Sequence, residues 1–273
     1  MQPNGNNPHN VDRFNGFQED YDRHRPTAPS RVAHFITHYL QRTPRLVLDV
    51  GCGTGLSSFI WKGYAGQIVG IEPNAGMLAK AKDKWEREGK PVSIAFREGY
   101  SNALDIPSGS ADVITCSQSF HWMEPVSTLR EFARVLSDGG VFAAYDCDWP
   151  PSSSWRVETS YLQLMQHADQ LIDQLVSKEE QAVKRNKEEH LQRIRESGHF
   201  RFTKEIVFHN EESCTADRYI GLALSQGGVQ TALKLGANEL QDALETFRRE
   251  VEEYFQQQTL TVAFGYRMRI GIK

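Results

Sequence analysis

The chain is 273 residues long, enough for one large domain or for a domain with an appended cap. Apolar residues make up 39% and charged residues 24%, and 31 Lys and Arg against 35 Asp and Glu leave a net charge of −4. That balance is ordinary for a soluble globular protein and disfavours nucleic-acid binding, which needs a basic face. No stretch approaches the run of about 18 apolar residues that a membrane helix requires. Met1–Asn10 is polar, so the expectation is a cytoplasmic protein with neither a membrane span nor a secretory signal. The four cysteines (Cys52, Cys116, Cys147 and Cys214) are too far apart for a zinc-type pair. Reduced, mostly buried thiols are expected, with no metal and no disulfide.

Asp12 to Leu40 begins polar and becomes helical near Pro29, where Val32, Phe35, Ile36 and Tyr39 recur at helical spacing; residues before Val11 read as mobile. Arg45–Val50 is a first strand whose continuous apolar character suits burial on both faces. Thr54–Tyr64 reads as the first crossover helix, Gln67–Glu72 as the second strand and Asn74–Glu88 as the second helix. Val92–Arg97 and Ala111–Ser117 read as strands three and four. Pro125–Leu136 reads as a helix stopped by Asp138-Gly139-Gly140, followed by strand five over Val141–Asp146. The alternation is that of a parallel sheet covered on both faces. From Trp155 to Ser197 the chain is polar and helical, and its charge-dense part, Lys178–Glu196, reads as a solvated helix with i, i+4 pairs such as Glu180–Lys184. Arg201–Phe208 is a strand and Ala216–Leu235 is helical with a break at Gly227-Gly228. Asn238–Gln257 is a helix, and Leu260–Ile272 alternates like a strand that enters the sheet last.

The strongest chemical signal is Asp49-Val50-Gly51-Cys52-Gly53-Thr54-Gly55, placed between a strand and a helix. Its glycines let the backbone turn tightly and approach a ligand, and the helix N-terminus behind them favours negative charge. Glu72 ends the second strand, where an acid is placed to take both hydroxyls of a ribose. The dinucleotide fingerprint is G-x-G-x-x-G, whereas this turn reads G-x-G-x-G.

DVGCGTG, GIEPNAGML, GSADVITCSQSFHWM and REFARVLSDGGVF together resemble the class I S-adenosylmethionine-dependent methyltransferases. Within them the chain is similar to the small-molecule group that includes trans-aconitate methyltransferases and fungal thiol methyltransferases of the gliotoxin type. The resemblance covers about Phe14 to Asp146. It implies a doubly wound, Rossmann-like α/β fold: a seven-stranded mixed sheet, last strand antiparallel, with a helical cap after strand five. The division that follows is 1–154 for the N-terminal segment and cofactor core, 155–199 for the cap, and 200–273 for the rest of the sheet with a further cap helix.

The resemblance also implies roles. S-adenosyl-L-methionine is the expected cofactor and S-adenosyl-L-homocysteine the product. Asp49, Gly51 and Gly53 would hold the methionine moiety, and Glu72 the ribose. Pro73, Asn74 and Met77 would lie near sugar and adenine, and Ser117 beside the cofactor. Tyr100 and Ser101 stand where the family carries an acid near the adenine, so adenine recognition would lean on backbone groups or on Ser101. Tyr21 or Arg25, in a segment that folds over the cofactor, would pair with the methionine carboxylate.

Ser117–Met123 should line the gap between cofactor and substrate. His121 there either touches substrate and assists proton removal or holds the pocket floor by a hydrogen bond to a backbone carbonyl. Phe120, Trp122 and Trp149 are the substrate-wall candidates, with Trp155, Tyr161 and Phe264 as further aromatics. No convergent cluster of Arg and Lys is visible, so an apolar small molecule with an acidic acceptor is expected, a thiol before a carboxylate. The resemblance to the gliotoxin-type enzymes implies a fungal dithiol of secondary metabolism as substrate; no nucleic-acid, membrane or obligate protein partner is expected. A dinucleotide oxidoreductase and a non-catalytic cofactor-binding regulator are the rival classes.

Overall fold

A computed structural model of the chain describes residue 3 and residues 5–273. Its strands are β1 (Leu46–Val50), β2 (Gln67–Glu72), β3 (Ile94–Glu98), β4 (Ala111–Ser117), β5 (Leu136–Cys147), β6 (Phe202–Cys214) and β7 (Leu260–Ile272). They form one sheet in the order β3-β2-β1-β4-β5-β7-β6. β1 to β5 are parallel, and β7 runs antiparallel to both β5 and β6. The expected sheet is therefore present, with the last strand inserted between its predecessors. β1 pairs with β2 on one side and β4 on the other, so the order reverses there, and the crevice beyond the carboxyl ends of β1 and β4 is the natural ligand site.

Alternation along the strands sends side chains to two cores. Val47, Val113, Val141 and Ala143 face one cluster; Leu48, Val50, Ile114 and Phe142 face the other. On the first side α3 (Arg31–Leu40) buries Val32 and Ile36, and α4 (Ala75–Arg87) buries Leu78 and Ala81. Further along it pack α6 (Trp155–Leu175), α8 (Ala216–Leu224), α9 (Gly227–Lys234) and α10 (Leu240–Phe255). On the second side α5 (Pro125–Val135) buries Leu129, Phe132 and Val135, and α7 (His190–Glu196) buries Ile194. Each such side chain is worth roughly 1.5–3 kcal/mol of burial. The remaining helices, α1 (Pro8–Asp12) and α2 (Gln18–His24), lie across the crevice side of the sheet, where Lys84 of α4 holds Asp22 at 2.5 Å. All four cysteines are buried and free. Among the described residues no helix is long and apolar enough to cross a membrane.

Five local expectations are corrected. Thr54–Tyr64 is not an α-helix but a series of turns with one 3-10 turn at Phe59–Trp61. Gly55 stands at φ +83°, and the Ser57 and Ser58 hydroxyls are drawn back to Asp49, so the side chains hold the chain in turns. Gly139 and Gly140 do not cap α5; β5 already begins at Leu136, and the pair sits inside it beside a register shift between Ala111 and Val113. Gly139 has φ +74°, and a Cβ on Gly140 would meet the Asp112 carbonyl at 3.2 Å, so the glycines build a bulge. The charge run is not a helix from Lys178: α6 ends at Leu175, and residues 176–186 form a strap, with the Glu180–Lys184 pair unmade. Backbone groups of the strap bond elsewhere: Arg185 N–H donates to the His121 carbonyl at 2.9 Å and Val183 N–H to Asn10 Oδ1 at 2.7 Å. The break before α9 falls at Ser225-Gln226, and Gly227-Gly228 opens the second helix instead of ending the first. Finally, the segment before Val11 carries α1, capped by Asn7, with Asn10 buried; residues 1, 2 and 4 lie outside the described residues.

Candidate active site

The turn after β1 is organised from below. Gly51 and Gly53 have φ of +70° and +56°, backbone that a side chain rarely permits. A Cβ on Gly51 would stand 2.6 Å from Cβ of Ser119, whereas nothing lies within 4 Å of one on Gly53. The first glycine lets two loops touch, and the second leaves an open face for a ligand. Asp49 lies buried beneath them. Its Oδ2 accepts from the Ser57 and Ser58 hydroxyls at 2.6 Å each and its Oδ1 from Thr115 at 3.0 Å. Burial raises its pKa against those three donors. Asp49 thus shapes the turn from behind, and its side chain is not on the chamber wall.

Glu72 closes the other side. Oε2 accepts Gly53 N–H and Oε1 accepts Asn74 N–H, both at 2.9 Å. Burial pushes its pKa up to about 7 in spite of these two donors, with the Asp49 charge adding to the rise. Each oxygen keeps a lone pair directed at the crevice chemistry of a diol.

One chamber opens from this turn and a second lies beside it. The inner one measures about 760 Å³, mouth included, a size that suits a nucleoside-sized ligand. Of the expected cofactor residues, Gly51, Gly53, Glu72, Pro73 and Met77 line it on one side, and Tyr21, Tyr100, Ser101 and Ser117 on the other. Asn74 instead caps α4 through Met77 N–H and holds Asn15. The Ser101 hydroxyl is already shared with Thr128 Oγ1 at 2.7 Å. The outer chamber, about 1820 Å³ with its mouth, carries His121, Trp122, Trp149 and Tyr161 on its wall. Phe14, Tyr21, Gln118 and Trp122 line both, and so form a collar where the two meet.

Two further expectations are corrected. Arg25 does not reach the inner chamber: its guanidinium bonds Ser225 Oγ at 3.0 Å, the Ser225 carbonyl at 2.9 Å and Gln226 Oε1 at 2.9 Å, stacked 4.7 Å from the Trp149 ring. It ties the N-terminal segment to the loop between α8 and α9 and borders the outer chamber. Phe120 lines neither chamber; the 3-10 turn Phe120–Trp122 points it into the core against Phe142 (5.5 Å) and His190 (4.9 Å).

His121 is buried, and its Nδ1 stands 3.4 Å from Oδ1 of Asp146, too far for a well-made hydrogen bond. Burial pushes its pKa down to about 3, with Asp146 opposing the fall and Lys187 adding to it. His121 is therefore neutral at pH 7 and a weak base. Burial likewise lowers His190 to about 4; its Nε2 lies 3.8 Å from Asp146 Oδ2. The Asp146 carboxyl, which burial alone would raise, is held below the usual carboxylate range, foremost by Lys187 Nζ at 2.8 Å. Arg269 stands at 3.6 Å on the same group. His121, Asp146 and His190 offer donor atoms within 4.8 Å of one another, a grouping hidden in the sequence by its wide spacing. Two cations already face the one carboxylate, so the grouping is a buried ion-pair network, unfavourable for a third cation.

Several wall residues escaped the sequence. Asn10 donates to the Trp122 carbonyl at 2.8 Å and the Val183 carbonyl at 3.1 Å, joining α1, the catalytic-side loop and the strap. Arg13, Lys184 and Lys187 converge on the outer chamber from distant segments. Nothing in their local pattern marks them. Gln118 and Met123 had a signal, since both fall inside Ser117–Met123.

Residues 48–144, from β1 through most of β5, match a family model described as a methyltransferase domain. Over that span the chain is similar to S-adenosylmethionine-dependent methyltransferases. The protein described as "Probable S-adenosylmethionine-dependent methyltransferase CRG1" of Saccharomyces cerevisiae is 26% identical over 124 residues, 45% of this chain and 43% of that one. "Probable methyltransferase ltbC" of Aspergillus luteorubrus is 34% identical over 126 residues, 42% and 44% of the two chains. The alignments span less than half the length of these relatives. Among solved structures, the YcgJ protein of Bacillus subtilis shares the fold with a TM-score of 0.53 at 20% identity, over 86% of this chain and 98% of that one. The [4+2]-cyclase SpnF shares it at 0.52 and 19%, over 89% and 81%. The fold therefore does not by itself fix a reaction.

Proposed function

We propose that the chain transfers a methyl group from S-adenosyl-L-methionine to an acidic heteroatom, a thiol first, of a small molecule held in the outer chamber. The observation that carries this reading is the collar of Phe14, Tyr21, Gln118 and Trp122, which lines both the chamber of the glycine turn and Glu72 and a second chamber of substrate size. When bound, the cofactor supplies an electrophilic methyl carbon on a sulfonium that is its own leaving group. The chain's part is to hold an acceptor in line with it and to keep water out. Positioning of this kind is worth roughly 7–11 kcal/mol. Phe14 and Trp122 make the collar poor in water, an environment that favours an anionic acceptor losing its charge against a cation.

The state of His121 supports an acidic acceptor. A group whose conjugate acid is pushed to about 3 cannot take a proton efficiently from an alcohol or amine. A thiol, of free pKa about 8.5, ionises with little help. A carboxylate is the second reading, supported by the lysines and arginine on the outer wall. A dithiol metabolite is the specific form of the first. Incubation with isotope-labelled methyl donor and a panel of thiols, carboxylic acids and phenols tests this. Labelled thioether is the expected product; cofactor binding with no labelled product on any acceptor would instead support a non-catalytic binder.

A further inference from the structure

The outer chamber holds two cations, half-buried Arg13 and exposed Lys184, that make no direct ion pair among the described residues. Arg13, the residue following α1, lays its guanidinium 4.0 Å from the Trp122 ring centroid, with its other side against Gly227. A Cβ on Gly227 would stand 2.3 Å from an Arg13 nitrogen, so the glycine that opens α9 is what gives the guanidinium its place. Yet no donor of Arg13 has a hydrogen-bond acceptor among the described residues, and Nε is buried without one. Lys184, from the strap, lines the same chamber and makes no ion pair within 4.0 Å. Lys187 beside it is engaged by Asp146, and Arg25 by Ser225 and Gln226. The nearest countercharge is Asp169 on α6, which also borders the chamber and pairs directly with neither cation. Burial lowers the pKa of Arg13 to about 10, with the Arg25 charge adding to the fall, and burial, Lys187 and Arg13 together lower that of Lys184. Both groups thus stand close to like charge; Asp169 is the carboxylate that acts on both, and Asp12, Asp173 and Glu180 border the chamber without an ion pair to either.

We infer that the acceptor molecule carries a carboxylate remote from the methylated atom, and that Arg13 and Lys184 bind it in the outer chamber while the reacting atom sits at the collar. This rests on the methyl-transfer reading. It adds that the substrate is amphipathic: an aromatic or apolar body against Trp149 and Tyr161, and an anionic end toward α1 and the strap. A planar guanidinium stacked on an indole and lacking acceptors is arranged to meet a planar two-oxygen anion. The ligand would also relieve the mutual repulsion of the two cations, and so draw α1 and the strap together.

The test uses full-length protein and two thiols that differ only at the remote end, 4-mercaptophenylacetate and its methyl ester. With labelled methyl donor, the acid should exceed the ester in kcat/KM by about tenfold or more, and the excess should fall as salt rises. Arg13→Gln and Lys184→Gln should each bring the acid down towards the ester, lowering kcat/KM several-fold more for the acid than for the ester, with binding of S-adenosyl-L-homocysteine retained. In parallel, calorimetric titration of the S-adenosyl-L-homocysteine-loaded protein with the acid should show binding that both variants weaken. Equal handling of acid and ester, equal losses on both in the variants, or no binding of the acid to the loaded protein would each overturn the inference. Failure to bind S-adenosyl-L-homocysteine at all would strike the methyl-transfer reading itself.

Discussion

Glu72 makes cofactor affinity depend on pH across neutrality. Its carboxyl is buried, and the pKa of about 7 means that half of the apo protein carries a proton there at pH 7. On the proposed reading a ribose diol would donate to the carboxylate, so only the ionised fraction should bind well. For a single site with that pKa, the apparent Kd is multiplied by about 11 at pH 6 and about 1.1 at pH 8, roughly a tenfold change. Calorimetry with S-adenosyl-L-homocysteine measures it, with the log Kd slope approaching one below pH 7. In Glu72→Gln the slope should vanish and affinity should be low throughout, because the amide turns a donor towards Gly53 or Asn74 N–H. The same carboxyl has a consequence for stability in the opposite sense. The unfolded chain releases this proton near 4.5 and the folded chain near 7, so the fold binds more protons between these values. Its contribution therefore favours the apo fold at low pH and is lost as pH rises through that window. A wild-type affinity independent of pH between 6 and 8, or a slope that persists in Glu72→Gln, would refute the reasoning.

Other perturbations probe the rest of the site. Gly51→Ala places a methyl 2.6 Å from Cβ of Ser119 at a φ of +70°; it should cost about 1–3 kcal/mol in chemical denaturation and weaken cofactor binding at least tenfold. His121→Asn should leave the pH–rate profile between 6 and 8 unchanged, since the imidazole is already neutral there, and a shifted profile would restore it as a base. His121 and His190 are both lowered well below the unfolded value of 6.5, so the unfolded chain takes up protons first as pH falls and the fold loses stability below about 6.5, with thermal unfolding from pH 7 to 4.5 as the readout. Asn10→Ala removes the buried amide between Trp122 and Val183; it should cost about 1–3 kcal/mol and speed hydrogen exchange in residues 176–186, with β1 and β4 unaffected.

What was legible in the sequence follows from how each part is held. Gln67–Glu72, Ala111–Ser117 and Leu260–Ile272 were read with the bounds they have, because a strand buried between helices must be apolar along its length or alternate strictly. Gly51, Gly53 and Glu72 were legible for a related reason: a ligand crevice at the order reversal needs missing side chains on one strand's turn and an acid on its neighbour. Periodicity failed where side chains, not backbone ladders, decide the path. Ser57 and Ser58 turn the first crossover away from a helix by reaching Asp49, and no hydrophobic pattern records that choice. The glycine pair in β5 looked like a helix stop because a bulge and a C-cap ask for the same residue.

The walls of the outer chamber belong to that second category, and the reason bears on function. Arg13, His121, Lys184 and Lys187 are brought together by α1, the loop after β4 and the strap, and these three segments are joined to one another by Asn10 and Arg185. Phe120 and Met123 anchor the loop in the core, but α1 and the strap bury no apolar side chain of their own and are held to it by polar bonds, each worth about 1 kcal/mol net. A cover held this way opens at modest cost, as a site buried under its own N-terminal segment must if cofactor and substrate are to enter. The cofactor turn is built the other way, with Asp49 and Gly51 locked under strands that cannot shift without losing the core. The rigid half is thus the one that a composition of strands and glycines announces. The half proposed to select the acceptor rests on single side chains, and its charges are visible only once the chain has folded.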